Sequence, residues 1–202
     1  ADTRYVPPIV VPASIHKNGW EEKIAIIGGG PAGLSCAFYL AERGYKPTVF
    51  EKNENAGGML RYGIPNYRFP RKRLAQDIDY ILKTGVEVRL NTQIGRDISM
   101  EDLEKEYDAV YISIGAQTDK NFDIEGADSL NVISAVNLLR DVGLEKRLDF
   151  SGLKVAVIGG GNVAMDCART AIRANAEKVS IIYRRRRQGS GTLDAAADQW
   201  TL

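Results

Sequence analysis

The sequence is poor in the side chains that most often bind metals or form redox disulfides. It has one histidine, His16, and two cysteines, Cys36 and Cys167, neither of which belongs to a Cys-x-x-Cys pair. His16 has no second candidate ligand or catalytic partner nearby in the sequence, so we predict no metal site there. Each cysteine comes three residues after the last small residue of a glycine turn, early in a predicted helix. We therefore predict that both are small buried packing residues rather than a disulfide.

Long apolar runs and an excess of charge of one sign are also absent. No apolar stretch approaches the roughly 20 residues needed to cross a bilayer, and no basic region followed by an apolar run opens the chain. The 27 Lys and Arg residues against 26 Asp and Glu give a net charge of +1, which provides no bulk attraction to nucleic acid or acidic membranes. Together with the cysteine usage, this composition predicts a protein of the reducing cytoplasm, with no membrane insertion and no nucleic-acid partner.

Glycine, in contrast, is somewhat abundant, and it is concentrated in two similar turns. Lys23 precedes an apolar run, residues 24–27, that ends in Gly28-Gly-Gly-Pro-Ala-Gly33. Lys154 precedes a second run, residues 155–158, that ends in Gly159-Gly-Gly-Asn-Val-Ala164. Short apolar runs of this kind are typical of buried parallel strands, and the residues after each turn predict a helix. We predict an α/β fold with two Rossmann-like dinucleotide-binding units, of which the second is incomplete.

The spacing of the first turn gives each glycine a role in binding a dinucleotide. Gly28 allows the strand to turn sharply, Gly30 allows backbone to approach a pyrophosphate, and Gly33 allows the helix to pack on the strand. The pyrophosphate would then lie on free N–H groups at the positive end of the helix dipole. Glu51, eighteen residues after Gly33, ends the next predicted strand, where a carboxylate can accept hydrogen bonds from a ribose. The alternative, two tight turns without ligands, explains neither the repetition nor Glu51.

The corresponding place in the second unit carries basic residues. The run Arg184-Arg-Arg-Arg187 follows the predicted strand at residues 179–183. We predict that Arg184 and Arg185 bind the 2′-phosphate that distinguishes NADP from NAD. A solvated basic turn or a nucleic-acid patch is the alternative, but the chain is nearly neutral and no aromatic residues interleave with the arginines.

The rest of the chain is divided around these two turns. Residues 1–20, with three prolines, predict an extended arm. We predict a first dinucleotide-binding domain at residues 21–118 and a second, incomplete one at residues 119–187. Within the first, the Gly-, Pro- and Asn-rich stretch at residues 53–70 predicts a shaped loop that forms a wall of the cofactor pocket. Residues 188–202 do not continue the pattern, and Gly189-Ser-Gly191 resembles a linker, so this tail is interpreted as foreign to the fold.

With these motifs, the chain resembles the small subunit of glutamate synthase and its relatives, the FAD-containing NAD(P)H oxidoreductase subunits that include electron-bifurcating transhydrogenases. The resemblance runs from about residue 23 to residue 187. Its most specific motif is Gly57-Gly-Met-Leu-Arg-Tyr-Gly-Ile-Pro65, and the two glycine turns, residues 108–116 and the Tyr-Arg-Arg sequence at 183–185 support it.

The resemblance implies that the first unit holds FAD, that residues 63–65 lie near the flavin ring and that Gly115 closes on the cofactor. It implies that the second unit holds NADPH, whose hydride passes to flavin N5. The residues predicted to contact the cofactors are Gly28, Gly30, Pro31, Ala32, Gly33, Glu51, Lys52, Gly58, Leu60, Gly63, Ile64, Ile94 and Gly115 for FAD, and Gly159, Gly161, Asn162, Val163, Arg184 and Arg185 for NADPH.

The resulting hypothesis is an FAD-dependent NAD(P)H oxidoreductase module that passes electrons to an iron–sulfur protein or larger catalytic subunit. Two cysteines cannot supply a four-cysteine cluster, so the cluster would belong to a partner. No catalytic residue is predicted, because the flavin would carry the redox chemistry. One alternative is a subunit or fragment that carries FAD without turnover. Another is a disulfide reductase of the thioredoxin-reductase type, against which the missing Cys-x-x-Cys argues. We also expect the second unit to be completed by a partner chain or by residues outside this sequence.

Overall fold

A computed structural model describes residues 21–119 and 125–183 with their side chains, and residues 198–201 as backbone. Contacts divide this part of the chain into two compact units. The first contains residues 21–61 and 69–116, and the second contains residues 62–68, 117–119, 125–183 and 198–201. The predicted N-terminal arm, the four arginines at 184–187 and most of the atypical tail lie outside the described residues.

The first unit is a parallel four-stranded sheet with helices. Its elements are β1 (Ile24–Ile27), α1 (Pro31–Glu42), β2 (Thr48–Phe50), α2 (Met59–Tyr62), α3 (Arg71–Leu82), β3 (Glu87–Arg89), α4 (Met100–Glu106) and β4 (Ala109–Ile112), with α2 ending in the segment assigned to the second unit. The strand order is β3-β2-β1-β4. Because β1 pairs in parallel with both β2 and β4, the glycine turn that follows it lies at the carboxyl edge of a central strand. Ligands of open α/β sheets bind at this edge.

The core of the first unit follows from the apolar runs identified in the sequence. Ala25 and Phe50 pack with Leu103 and Tyr107 on one side, and Ile26 and Val49 pack with helix α1 on the other. Both faces of β1 are therefore buried, which is why this strand is continuously apolar rather than alternating. The α/β class predicted from the sequence is confirmed.

Two of the helices begin with a serine cap. The Asp102 amide donates to Ser99 Oγ at 3.1 Å at the start of α4. The Asn137 amide donates to Ser134 Oγ at 3.1 Å at the start of α5 (Ala135–Gly143). A side-chain oxygen satisfies one of the four N–H groups that a helix leaves unpaired at its beginning.

The second unit contains a smaller sheet. After α5 come β5 (Lys154–Ile158), α6 (Asn162–Arg173), β6 (Lys178–Tyr183) and β7 (Asp198–Thr201). Strands β5 and β6 are parallel, as predicted. The predicted burial of β5 is wrong, because Ala156 and Ile158 are exposed. Strand β7, which the sequence pattern does not predict, pairs antiparallel with β6. It lies within the tail interpreted as foreign to the fold. Its four residues show no apolar alternation, but backbone hydrogen bonds can extend a sheet without such a pattern.

A helix able to cross a bilayer would need at least 18 residues of high mean hydropathy, and none of the helices in residues 21–119 and 125–183 has them.

Candidate functional site

The turn between β1 and α1 requires glycine at two of its positions for different reasons. Gly28 has φ +105°, a left-handed conformation that side chains rarely adopt. A Cβ on Gly33 would lie 1.9 Å from the Gly28 carbonyl oxygen, so α1 can pack this closely on the strand only without a side chain there. Gly30, in contrast, has ordinary extended angles, φ −80° and ψ −176°. The nearest atom that a Cβ on Gly30 would meet is Gly58 Cα, 3.8 Å away.

The loop around Gly57 and Gly58 packs directly on this turn. The Gly57 amide donates to the Gly29 carbonyl at 2.7 Å, and a Cβ on Gly58 would lie 2.8 Å from Gly30 Cα. Both glycines have positive φ. The two Gly-rich segments therefore form one surface of bare backbone, which is the kind of surface that admits a diphosphate.

Glu51 follows β2 and is buried, with 4% of its surface exposed. Its Oε2 accepts a hydrogen bond from the Gly29 amide at 2.8 Å. Its Oε1 accepts two, from the Asn53 amide at 2.9 Å and the Asn53 side chain at 2.6 Å. A carboxylate has about four acceptor sites, so these three bonds leave about one acceptor site without a protein partner among them. Glu51 thus also holds the glycine turn to the following loop, a role that the motif alone does not show.

Ser113 contacts this turn and is not among the predicted site residues. It follows β4, and its hydroxyl lies 3.0 Å from the Ile27 carbonyl and 3.1 Å from the Gly28 carbonyl. Its position two residues before Gly115 was the available signal. Gly115 itself has φ +68° and lies beyond the carboxyl end of β4, next to the strand that carries the turn.

Helix α1 and helix α6 both begin without a side-chain cap, unlike α4 and α5. Gly30 is the N-cap of α1 and Gly161 is the N-cap of α6, and neither can offer a side-chain acceptor. The first-turn N–H groups of these helices have no acceptor within the helix. Helix α3 also lacks a side-chain cap, but it starts after Pro70 and not at a strand end. Only the two helices after the glycine turns, among those described, present free N–H groups at the carboxyl edge of a sheet.

The second turn has the same construction with one change. Gly159 has φ +124°, and a Cβ on Gly161 would meet no atom within 4 Å. Ala164 takes the place of the third glycine and is buried. The predicted residues Asn162 and Val163 form the exposed first turn of α6.

A group of polar residues centred on Asp166 lies further along α6. The Asp166 side chain is only 5% exposed, and its Oδ2 lies 2.9 Å from an Arg68 guanidinium nitrogen. An Arg169 nitrogen lies 3.7 Å from Oδ1. The Tyr67 hydroxyl donates to the same oxygen at 3.3 Å, and the Arg173 guanidinium carbon lies 3.9 Å from the centre of the Tyr67 ring. We call these five residues the Asp166 cluster.

The Asp166 cluster borders an open cavity of about 480 Å³, lined by Tyr67, Arg68, Asn162, Met165, Arg169 and Arg173. Burial, with the negative charge of Asp166 next, raises the pKa of Tyr67 above its usual value, so its hydroxyl stays protonated and donates. None of the cluster was among the predicted site residues. The available signal was an acidic residue with arginines three and seven positions later, which places all three on adjacent turns of one helix.

The remaining predicted residues are distributed over both units. Lys52 is exposed, and Ile94 packs against the core that contains Phe50. The Leu60 carbonyl accepts a hydrogen bond from Arg71 at 2.9 Å. Gly63 and Ile64 belong to the segment Tyr62–Arg68, which is part of the second unit. Arg184 and Arg185 lie outside the described residues.

Neither cysteine has the surroundings of a reactive thiol. Burial, reinforced by Asp166 and Asp119, raises the pKa of Cys167 to about 11, and burial also raises the pKa of Cys36. Both are free thiols, and Cys167 is buried as predicted, whereas Cys36 is only half-buried. Thiols with raised pKa values carry little thiolate at neutral pH and react slowly.

Two glycine turns at the carboxyl ends of parallel strands, each opening an uncapped helix, define a protein with two dinucleotide-binding units. The family model described as pyridine nucleotide-disulphide oxidoreductase matches residues 22–202. The chain belongs to this family.

Known proteins with similar sequences support the resemblance to glutamate synthase small subunits. The beta subunit of the NADP(+)-dependent formate dehydrogenase of Moorella thermoacetica is 50% identical over 168 residues, which cover 82% of this chain and 24% of that protein. The small chain of the NADPH glutamate synthase of Escherichia coli is 36% identical over 174 residues, covering 81% of this chain and 37% of that protein. The chain therefore spans about a quarter to a third of the length of these curated relatives.

A solved structure with a similar fold is that of Mycobacterium tuberculosis FprA in complex with NADPH. It matches with a TM-score of 0.64 and 26% sequence identity, over 73% of this chain and 36% of the FprA chain. The match supports two Rossmann-type units of the kind predicted from the glycine turns.

Proposed function

We propose that this chain is the nucleotide-binding part of an FAD-dependent NAD(P)H oxidoreductase, with FAD in the first unit and NADPH in the second. The observation that carries the proposal is the pair of uncapped helices behind glycine turns, because free N–H groups at a helix start favour a diphosphate. Relatives named for NADP or NADPH support the assignment of the nicotinamide nucleotide.

The residues of the first turn fit a dinucleotide. A Cβ on Gly30 would meet only Gly58 Cα, at 3.8 Å, so the space beside the N-cap of α1 is open. Glu51 retains one acceptor site for a ribose hydroxyl. The chain would bind and orient the cofactors, whereas FAD would supply the redox chemistry by accepting a hydride and releasing electrons. We accordingly propose no acid, base or nucleophile from the protein.

We also propose an electron-accepting partner and a location for this protein. We propose that the electrons pass to an iron–sulfur protein or larger subunit, since relatives are named as a beta subunit and a small chain. A cytoplasmic location is consistent with two free thiols in the described residues.

Anaerobic addition of NADPH tests the function. The protein, as this chain or within the longer polypeptide that contains it, is expected to purify with the absorbance of bound flavin, and NADPH should bleach that absorbance. Bound flavin that NADPH does not bleach would instead support a subunit that carries FAD without turnover. Absence of bound flavin after reconstitution with FAD would contradict the first assignment.

The arginines after β6 provide a test of nucleotide preference. Replacement of Arg184 and Arg185 by Ser should weaken NADPH binding by roughly ten- to a hundredfold, the cost of one charge-assisted contact to phosphate. NADH binding should remain nearly unchanged. Titration calorimetry with both nucleotides measures the difference, and replacement of Arg186 and Arg187 by Ser is the matched control. Equal losses for NADPH and NADH would show that the pair does not recognise the 2′-phosphate.

A further inference from the structure

The Asp166 cluster joins a segment that is distant in sequence to the helix behind the second glycine turn. Residues Tyr62–Arg68 interrupt the first unit in sequence but belong to the second by their contacts. Arg68 and Tyr67 hold this segment on α6 through the buried carboxylate of Asp166.

The charges of the cluster are not balanced. Arg68 and Arg169 form ion pairs with the single carboxylate of Asp166, and the Arg173 guanidinium lies over the Tyr67 ring. The three arginines therefore exceed the one carboxylate of the cluster by two charges. The same three arginines line the cavity, together with Asn162, the first residue of α6. A cationic cavity beside a helix start favours a phosphate-bearing ligand.

The burial of Asp166 distinguishes its role from that of the arginines. Asp166 is 5% exposed, whereas the side chains of Arg68 and Arg169 are 42% and 51% exposed. The carboxylate therefore lies behind the guanidinium groups rather than in the cavity. The buried carboxylate accepts hydrogen bonds from Arg68 and Tyr67 and forms a longer ion pair with Arg169. These contacts restrict the directions of the three side chains.

We propose that Asp166 is a positioning residue of the second nucleotide site. It holds Arg68 and Arg169 as a cationic wall that faces a phosphate group of the nicotinamide nucleotide bound at the 159–164 turn. This inference rests on the proposed binding of NADPH to the second unit. It adds a segment of the chain, residues 62–68, to a site that the motif confines to α6 and the strands beside it.

The direction in which Asp166→Asn changes the affinity for NADP⁺ distinguishes a positioning role from a purely electrostatic one. Asp166→Asn removes a negative charge near the site of an anion, so Coulomb interactions alone would tighten the binding of NADP⁺. If Asp166 positions the arginines, the same substitution should weaken the binding by about tenfold, because the guanidinium groups lose their fixed directions. Titration calorimetry of the protein with NADP⁺ measures which sign holds.

Two further variants complete the experiment. Asp141→Asn removes the same charge from an exposed carboxylate that pairs with Lys146, and it should change the affinity by less than about twofold because exposed charges are screened. Arg68→Gln should weaken NADP⁺ to a similar degree as Asp166→Asn, and the double variant should be little weaker than either single variant, since both changes disrupt one contact.

The possible results have distinct meanings. Unchanged or tighter binding by a folded Asp166→Asn variant would overturn the inference while leaving the nucleotide site in place. Failure of the unsubstituted protein to bind NADP⁺ would contradict the proposed function instead. If Asp166→Asn does not fold, as judged by thermal unfolding, Arg68→Gln decides alone, because Arg68 is half exposed and its loss leaves Asp166 paired with Arg169. Full affinity of that variant would also overturn the inference.

Discussion

Gly30→Ala is expected to leave the protein folded and to remove its FAD. The backbone of Gly30 has angles that alanine adopts freely, and the nearest atom to the added methyl would be Gly58 Cα at 3.8 Å. The methyl would extend into open space beside the N-cap of α1, where the spacing of the turn predicts that backbone approaches the diphosphate. Displacing a diphosphate from two N–H donors loses about 1.5–3 kcal/mol for each charge-assisted hydrogen bond. The affinity for FAD should therefore fall by about a hundredfold or more.

Gly33→Ala is the matched control, because the same methyl group is added three residues away. Its Cβ would lie 1.9 Å from the Gly28 carbonyl oxygen and 2.7 Å from Ser113 Oγ, so α1 would have to move away from β1. We expect the free energy of unfolding to fall by about 3 kcal/mol or more. Thermal unfolding and the ratio of flavin to protein absorbance distinguish the two variants. Full FAD content in Gly30→Ala, or unchanged unfolding of Gly33→Ala, would contradict this account of the turn.

The difference between these two glycines shows what the sequence could and could not predict. The spacing of the first turn predicts the fold and the division of roles, because the close packing at Gly33 is a backbone requirement that recurs wherever this turn occurs. Glu51 also accepts a hydrogen bond from the Gly29 amide, and this contact depends on the conformation of the loop after β2. No local sequence pattern predicts that conformation.

The Asp166 cluster was missed for a related physical reason. A polar residue on an amphipathic helix usually faces solvent, and burial of a charge is tolerated only where partners are supplied. Those partners, Tyr67 and Arg68, lie nearly 100 residues earlier in the chain. Their interaction depends on tertiary contacts that neither spacing nor periodicity reports. The strand β7 was missed likewise, since its pairing with β6 is a matter of backbone and not of side-chain pattern.

The second sheet offers fewer contacts to its first strand than the first sheet does. Strand β1 lies between β2 and β4, and Ala25 and Ile26 are completely buried. Strand β5 is an edge strand in the described part of its sheet, with β6 as its one neighbour. Lys154, Ala156 and Ile158 are exposed, Ile158 to 58%. The two strands therefore differ in both hydrogen-bonding partners and apolar burial, which together set the free energy of local opening.

We expect the amides of β5 to exchange with deuterium roughly a hundredfold faster than those of β1 in the ligand-free chain. The sequence supplies its own control, since Lys-Ile-Ala-Ile-Ile-Gly in one strand and Lys-Val-Ala-Val-Ile-Gly in the other have nearly equal intrinsic exchange rates. Any difference must then come from structure. The measurement has to be made without nucleotides, because a ligand of either unit would stabilise it by mass action. If β5 is protected as well as β1, the edge position and exposed face of β5 do not lower its stability, and the second unit does not depend on further contacts to cover that strand.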